Sequence, residues 1–227
     1  MNMTEKQAVF LKIKRSKKYF FFLSPVLRDS IFGRIYIEVK MKKISIVFIK
    51  SNTLLGKLIR KITSYPYSHV GISLSNIPDK IYSYGRYSFF NYLDGGYIEE
   101  SFRRHLLLGN NLEAKFISIN ITDMQYEKLL EFIKNNNKGK YSKRELATTK
   151  FNRTYKKENS FICLSFVAKA LKEIEVIEED NLNGIDELEK ALDNKESCNI
   201  IINNSEKHNI PWGNDKYVKF EILKEWL

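Results

Sequence analysis

Several stretches of the chain have hydrophobic patterns typical of β-strands. Residues 44–49 (Ile-Ser-Ile-Val-Phe-Ile) form a strongly β-prone run, which predicts a strand. Apolar residues alternate from Val70 to Leu74, so a second strand should carry His69 on its opposite face. Further strands are predicted over residues 80–84, 113–121, 200–202 and 217–223.

Other stretches have the three-to-four-residue spacing of amphipathic helices. One helix should start at Asn52 or Thr53 and end before Pro66, with its apolar residues on one face and its basic residues outside. A second helix should open with a capping box from Thr122 to Gln125. We expect its inward face to carry Met124, Leu129, Phe132 and Ile133.

A third helix should begin close to Cys163, with Asn159 or Ser160 as its N-cap. The apolar stripe from Val167 to Ile174 shares a face with the thiol and should pack on the rest of the fold. A shorter helix is predicted over residues 184–193.

The order of these elements predicts the fold class. Helix, strands, helix, helix and strand indicate an α+β fold with a mainly antiparallel sheet packed against helices. Residues 86–98, which are aromatic and contain two adjacent glycines, predict a loop.

The core domain should span residues 41–227. Residues 1–40 are basic without a clear period, and we expect an extension of unknown role or even sequence upstream of the natural start.

Composition narrows the functional classes only slightly. The chain has 227 residues, 43% of them hydrophobic, which is enough for one sizeable core. A net charge of +11 favours anionic surfaces such as phosphates, acidic glycans or lipid headgroups. The lysines are spread along the chain, which indicates compositional bias more than a designed patch. No motif specific for nucleic acid is present, and no apolar run approaches the roughly 20 residues of a transmembrane segment.

The two cysteines, Cys163 and Cys198, are too few for a disulfide framework and predict a reducing compartment, the cytoplasm. Backbone N–H groups and the helix dipole favour a thiolate at a helix start, so Cys163 is a candidate nucleophile. The alternative interpretation is that Cys163 only packs in the core, as a small buried hydrophobic residue does. Cys198 precedes a β-prone run and is predicted to be buried and inert.

Among the three histidines, His69 is the informative one, because small residues beside it leave room for a partner or a substrate. The alternative interpretation is that His69 is a half-exposed histidine at a strand end that has no function. His105 follows two arginines in a segment predicted to lie on the surface, and His208 lies in a polar loop. No spacing typical of metal ligands or of a phosphate-binding loop occurs, so no metal or cofactor is expected.

A thiol hydrolase needs a thiolate, an imidazole within hydrogen-bond reach, a third group that orients the imidazole, and donors for the oxyanion. From about Lys43 to Ala170, the sequence motifs follow one another in an order that resembles the circularly permuted branch of the NlpC-type papain-like cysteine hydrolases. Residues 67–71 (Tyr-Ser-His-Val-Gly) resemble the family's histidine strand. Residues 139–141 (Gly-Lys-Tyr) resemble its Gly-Lys-Pro-Tyr signature, and residues 161–163 (Phe-Ile-Cys) resemble its cysteine at a helix start.

The resemblance implies a papain-like catalytic domain over residues 41–227 and a role for each matching residue. Cys163 would be the nucleophile and His69 the general base and acid. Ser83 falls on the position of the third polar residue. Tyr141 falls on a tyrosine near the thiol, where its hydroxyl could orient the nucleophile or help bind the oxyanion.

The chain departs from the family pattern at three positions. Relatives often carry glutamate where this chain has Ser83, and a neutral hydroxyl cannot stabilise an imidazolium as a carboxylate would. Glu99 or Glu100 is therefore an alternative third member. The proline of the Gly-Lys-Pro-Tyr signature is missing, and Leu164 follows the cysteine where relatives often have serine.

The expected function is that of a thiol hydrolase or acyltransferase, similar to an amidase or peptidase, which acts through a Cys163 acyl-enzyme. The substrate would be a small molecule, a peptide, or a lipid amide or ester, and the basic surface would favour an anionic partner. One alternative is a non-catalytic basic domain that binds nucleic acid or anionic lipid. Another is a degenerate relative that keeps the fold without turnover.

Overall fold

The computed structural model describes residues 40–76, 78, 80–88, 94–106, 111–142, 160–193 and 195–203, together with three short strands before residue 40. The helices are α1 (Leu54–Thr63), α2 (Phe102–Leu106), α3 (Asp123–Asn135), α4 (Cys163–Glu173) and α5 (Ile185–Ala191). The strands are β1 (Val9–Lys12), β2 (Lys18–Tyr19), β3 (Ile35–Glu38), β4 (Met41–Ile49), β5 (His69–Ser73), β6 (Ile81–Arg86), β7 (Gly95–Glu100), β8 (Asn111–Thr122), β9 (Lys140–Tyr141), β10 (Ser160–Phe161) and β11 (Glu196–Asn203).

One eight-stranded sheet, in the order β10-β9-β7-β6-β5-β4-β8-β11, organises the described part of the chain. Its neighbouring strands are antiparallel, except that β9 and β10 are parallel. Strands β1 to β3 form a separate three-stranded sheet. The prediction of mixed helices and strands with a mainly antiparallel sheet is therefore confirmed. The domain boundary at Met41, where β4 begins, stays a prediction.

Both faces of the sheet are covered, because residues of β4 alternate between two hydrophobic clusters. Alternate residues from Ile44 to Phe48 belong to the larger cluster, which also contains the apolar faces of α3 and α4. Val47 and Ile49 belong to the second cluster with Phe102 of α2. Burial on both sides explains why this strand is apolar at most positions and does not alternate. The buried Ser45 hydroxyl donates to the Ser75 carbonyl oxygen at 2.9 Å. The two clusters also place α2 and α4 on opposite faces of the sheet.

The structure differs most from the sequence-based prediction between residues 86 and 100. Residues 86–98 were expected to form a loop, but Gly95–Glu100 form strand β7, which pairs with β6. A Cβ atom at Gly96 would lie 2.7 Å from the carbonyl oxygen of Gly139. The two glycines therefore allow a close approach of neighbouring backbones and do not form a turn.

The capping box of α3 is confirmed, since the Gln125 N–H donates to the Thr122 hydroxyl at 3.2 Å. Its predicted inward residues Leu129, Phe132 and Ile133 are buried. Met124 is 69% exposed, so its predicted inward orientation is wrong. The strand predicted at residues 217–223 and the loop with His208 lie outside the described residues.

Helix α1 forms where the sequence predicts it, and the Thr53 hydroxyl caps it by accepting from the Gly56 N–H at 2.9 Å. Its apolar face, however, is partly turned to solvent: Leu54, Leu58 and Ile62 are 71%, 52% and 42% exposed. Gly56 is the buried residue of the helix, and a Cβ there would lie 2.6 Å from a backbone oxygen. Within the described residues, no helix has the length and apolar character required to span a bilayer.

Candidate active site

His69 and Glu100 point to the same face of the sheet, although they lie on different strands. His69 pairs with Ile49 of β4, and Glu100 pairs with Ile81 of β6. Directly paired residues share a face of a sheet. Ile49 and Ile81 both belong to the cluster under α2, so His69 and Glu100 face α2 as well.

The His69 imidazole and the Glu100 carboxylate form a direct hydrogen bond. The Nε2 atom of His69 lies 2.5 Å from Oε1 of Glu100. The side chains are 13% and 1% exposed, so water screens the pair only weakly. A buried carboxylate in this position fixes the orientation of the ring and stabilises the imidazolium form.

Helix α2 brings two further basic side chains to the other oxygen of this carboxylate. The Nη1 atom of Arg104 lies 3.4 Å from Oε2 of Glu100, and the Nε2 atom of His105 lies 3.1 Å from it. Arg104 also donates to the carbonyl oxygens of Arg86 and Tyr87. The surface position predicted for His105 is wrong: the residue is 4% exposed, because the short helix packs into the sheet.

Cys163 is the first residue of α4, as expected for the candidate nucleophile. Ser160 lies in β10 and does not cap the helix. The Ser165 hydroxyl instead reaches back and accepts a hydrogen bond from the Ile162 N–H at 3.1 Å. The N–H groups of the first helical turn lack acceptors within the helix, so the Cys163 N–H is available to an oxyanion.

His69 lies between the thiol and the carboxylate. Its ring bonds to Glu100, it lines the same pocket as Cys163, and the neighbouring thiol helps to raise the pKa of His69. Because Nε2 is engaged by Glu100, Nδ1 is the ring nitrogen left for the thiol. Cys163, His69 and Glu100 thus follow one another in the order that a thiol nucleophile, its base and an orienting group require.

The charges of this cluster follow from burial and from the pairing of the groups. Burial alone would lower the pKa of His69, but the charge of Glu100 and the hydrogen bonds to Cys163 and Glu100 raise it to about 10. Burial would raise the pKa of Glu100, but His69 and His105 hold it well below its usual value. Burial lowers the pKa of His105. At neutral pH the cluster therefore contains an imidazolium at His69, a carboxylate at Glu100 and a neutral imidazole at His105.

A small pocket of about 70 Å³ opens onto these groups. His69, Cys163 and Tyr141 are among the residues that line it, so the predicted tyrosine lies at the same pocket as the thiol. Helix α1 forms another part of the wall with Leu55 and Ile59. The pocket therefore combines a polar end that contains the thiol with an apolar side.

Ser83 and Glu99, the other two candidates for the third member, engage different partners. The Ser83 hydroxyl is fully buried and donates to the Val70 carbonyl oxygen at 2.7 Å. The Glu99 carboxylate is 44% exposed and pairs with Lys80 at 3.1 Å. The structure therefore brings Glu100 to the His69 ring, and it brings neither of the other two.

Ser83→Ala should leave the reactivity of Cys163 within about twofold of the wild type while it destabilises the fold. The lost hydrogen bond leaves the buried Val70 carbonyl without this donor, which costs about 1–3 kcal/mol in the free energy of unfolding. Alkylation kinetics and urea denaturation measure the two effects. Slow alkylation with unchanged stability would instead return Ser83 to the site.

His69, Glu100 and His105 also place one potential metal-ligand atom each within 4.8 Å of one another. Two imidazoles and a carboxylate suit several divalent cations. The contacts above account for the same atoms, however, and the Arg104 guanidinium beside Glu100 already supplies a positive charge. These groups fit a hydrogen-bonded charge cluster better than a cation site.

We compared the chain with known protein families and with curated proteins. A scan of the chain against protein-family models finds no match, and a search of curated proteins finds no significant match.

Sequence reasoning missed Arg104 and His105 as parts of the cluster. The only signal was a pair of glutamates followed by Arg103, Arg104 and His105 in a short stretch, which is also typical of a solvated surface. The prediction for Cys198 is wrong in its burial, because the residue is exposed on β11. This exposure makes Cys198 an internal reference for an ordinary accessible thiol.

Proposed function

We propose that the chain is a papain-like cysteine hydrolase or acyltransferase of the permuted NlpC type, in which Cys163 forms the acyl-enzyme. The single observation that carries the proposal is that Cys163 and the hydrogen-bonded pair of His69 and Glu100 line the same pocket. An imidazolium next to a cysteine favours the thiolate, which is the nucleophilic form. The order of motifs along the sequence supports the family assignment.

In the first half of the reaction, the Cys163 thiolate adds to the substrate carbonyl and forms a tetrahedral oxyanion. The Cys163 N–H at the start of α4 donates to this oxyanion, and the Tyr141 hydroxyl is the second candidate donor. The bond to the leaving group then breaks, and the His69 imidazolium gives its proton to the departing nitrogen or oxygen. The products of this half are a thioester at Cys163 and a neutral imidazole at His69.

In the second half, His69 removes a proton from water or from another acceptor as that molecule adds to the thioester carbonyl. Collapse of the second tetrahedral intermediate releases the acid, or the transferred acyl product, and restores the thiolate and the imidazolium. Glu100 keeps Nδ1 directed at the sulfur and stabilises the imidazolium without taking up the proton itself.

The bond cleaved is an amide by resemblance to the family, and an ester or thioester would follow the same steps. The apolar pocket side with Leu55 and Ile59 suits an acyl or peptide side chain next to the carbonyl. The net charge of +11 favours an anionic substrate or surface. That charge also supports the second candidate, a non-catalytic binding domain, for which the thiol should behave as an ordinary cysteine.

Alkylation with iodoacetamide separates the two candidates. Cys198→Ser leaves only Cys163, and the matched variant Cys163→Ser leaves only the exposed Cys198. We expect Cys163 to be alkylated at least about tenfold faster than Cys198 at pH 5, because an imidazolium beside a cysteine increases its reactivity. Adding His69→Ala to the first variant should slow alkylation at pH 5 at least about tenfold.

The acyl-enzyme is tested with 4-nitrophenyl acetate as the probe. The wild type should release a stoichiometric burst of 4-nitrophenolate and carry one acetyl group at Cys163 by mass spectrometry, and Cys163→Ser should give no burst. Equal, slow alkylation of both thiols, together with the absence of a burst, would reject the enzyme in favour of the binding domain.

A further inference from the structure

Helix α1 carries an exposed apolar stripe that its packing does not explain. Leu54, Leu58 and Ile62 follow one another at four-residue intervals, which places them on one face. They are 71%, 52% and 42% exposed. A helix on the surface of a globular protein normally turns this face to the core. Here the buried residue is Gly56, and the stripe is left facing solvent.

The charges of α1 are of a single sign. Its sequence contains Lys57, Arg60 and Lys61 and no acidic residue. Lys57 and Lys61 are exposed and lie along one edge of the stripe, whereas Arg60 is held by hydrogen bonds to Ser51 and Ser68. An apolar stripe edged by lysines is the pattern of helices that lie in the interface of an anionic membrane.

The stripe is continuous with the candidate active site. Leu55 and Ile59 follow on the next part of the helix surface, and both line the pocket that contains Cys163 and His69. A flat anionic surface that covers Leu54, Leu58 and Ile62 would therefore lie beside the wall of that pocket.

We infer that α1 docks the protein on an anionic phospholipid bilayer, with Leu54, Leu58 and Ile62 inserted at the headgroup boundary and Lys57 and Lys61 among the phosphates. The net charge of +11 of the chain adds long-range attraction to the same surface. This docking depends on the surface of α1 and not on the thiol chemistry, so it stands or falls separately from the proposed function.

Two other occupants fit the face less well. A second copy of this chain in a two-fold contact would present the same helix, which has no acidic residue to pair with Lys57 and Lys61. Nucleic acid would pair with the lysines but would leave the leucines in contact with water or phosphate. A bilayer satisfies the charged and the apolar parts of the face together.

Co-sedimentation of the full chain with vesicles tests the inference. We expect the wild type to bind phosphatidylcholine vesicles that contain phosphatidylserine and to bind pure phosphatidylcholine at least about tenfold more weakly. Leu54→Gln with Leu58→Gln should lower partitioning into the anionic vesicles at least about tenfold, because the insertion of two large apolar side chains is lost. Lys57→Gln with Lys61→Gln should reduce binding to anionic vesicles only.

The matched control is Met124→Gln on α3, which removes another strongly exposed apolar side chain and should leave vesicle binding unchanged. Cys163→Ala should bind vesicles as the wild type does, so failed docking and failed catalysis are distinguishable. The inference is overturned if the wild type does not bind anionic vesicles at low salt, or if the two leucine changes do not weaken binding. A wild-type dimer in sedimentation velocity that becomes monomeric in the leucine double variant would assign the face to a second copy.

Discussion

Glu100→Gln should lower the acylation rate with 4-nitrophenyl acetate at neutral pH by about 10³-fold, on the scale of the loss when an amide replaces a triad carboxylate. The substitution keeps the size of the side chain and removes its charge. The amide oxygen or nitrogen can still reach Nε2 of His69, 2.5 Å from the carboxylate in the wild type, but it cannot stabilise an imidazolium to the same degree. The thiol then loses the neighbouring cation that favours its reactive form.

The same variant should change the pH dependence in a defined direction. The charge of Glu100 raises the pKa of His69 to about 10 against a burial effect that lowers it. Without that charge the burial effect prevails, so the pKa of His69 should fall. His69 loses the proton that it gives to the leaving group as the pH rises through about 10 in the wild type, so turnover of an amide substrate should fall there. In Glu100→Gln this alkaline loss should move to lower pH.

The free energy of unfolding should also depend on the protonation of His69. The folded pKa of His69 is raised above the unfolded value of 6.5, so its ion pair stabilises the protein fully below that pH. The contribution should be lost as the pH rises towards about 10. Urea denaturation between pH 6 and pH 10 should show this loss in the wild type, and Glu100→Gln should show less of it.

Glu99→Gln is the matched control for the position. Glu99 precedes Glu100 in β7, but its carboxylate is 44% exposed and pairs with Lys80. We expect this variant to keep the acylation rate and the pH profile of the wild type. Equal losses in the two variants would mean that a general change in charge or stability, and not the contact with His69, limits the reaction.

The sequence contained enough information to place the candidate residues Cys163 and His69 on the elements that carry them. The run at residues 44–49 predicts a strand because burial on both faces favours apolar residues at most of its positions. Cys163 and His69 were named because the start of a helix and of a strand can be read from local patterns. Local patterns cannot give the contact between them, which depends on strands distant in sequence.

The third group could not be chosen from the sequence, because that choice depends on the pairing of β7. The adjacent glycines of β7 read as a loop, yet they allow close backbone approach within the sheet. Whether Glu99 or Glu100 faces His69 depends on the register of this strand pairing. A shift of one residue would exchange the faces to which the two side chains point. The burial of Arg104 and His105 depends on a helix of five residues, which is too short to leave a periodic pattern.

The exposure of the apolar face of α1 also could not be predicted from local sequence patterns. Its periodicity correctly predicts one apolar face, but periodicity does not say whether the protein or another surface covers that face. The close contact at Gly56 decides the orientation, because only a residue without a Cβ fits against the neighbouring backbone there. A single small residue thus determines which side of an otherwise ordinary amphipathic helix is exposed.

Arg104→Met should lower the free energy of unfolding by about 3–5 kcal/mol, the cost typical of removing one partner of a buried ion pair. Arg104 is 1% exposed and joins α2 to the Arg86 and Tyr87 carbonyls as well as to Glu100. Methionine fills much of the volume and makes none of these hydrogen bonds. The Glu100 carboxylate would then remain buried with the two histidines as its partners in the cluster.

The comparison for Arg104→Met is Lys80→Met, which breaks a pair whose side chains are 38% and 44% exposed. Exposed pairs contribute at most about 1 kcal/mol, so urea denaturation should separate the two variants clearly. A loss below about 1 kcal/mol for Arg104→Met would mean that α2 is held by its apolar contacts alone. The larger loss would mean that the charge cluster which activates His69 also fixes α2 to the sheet, so that reactivity and stability depend on the same buried groups.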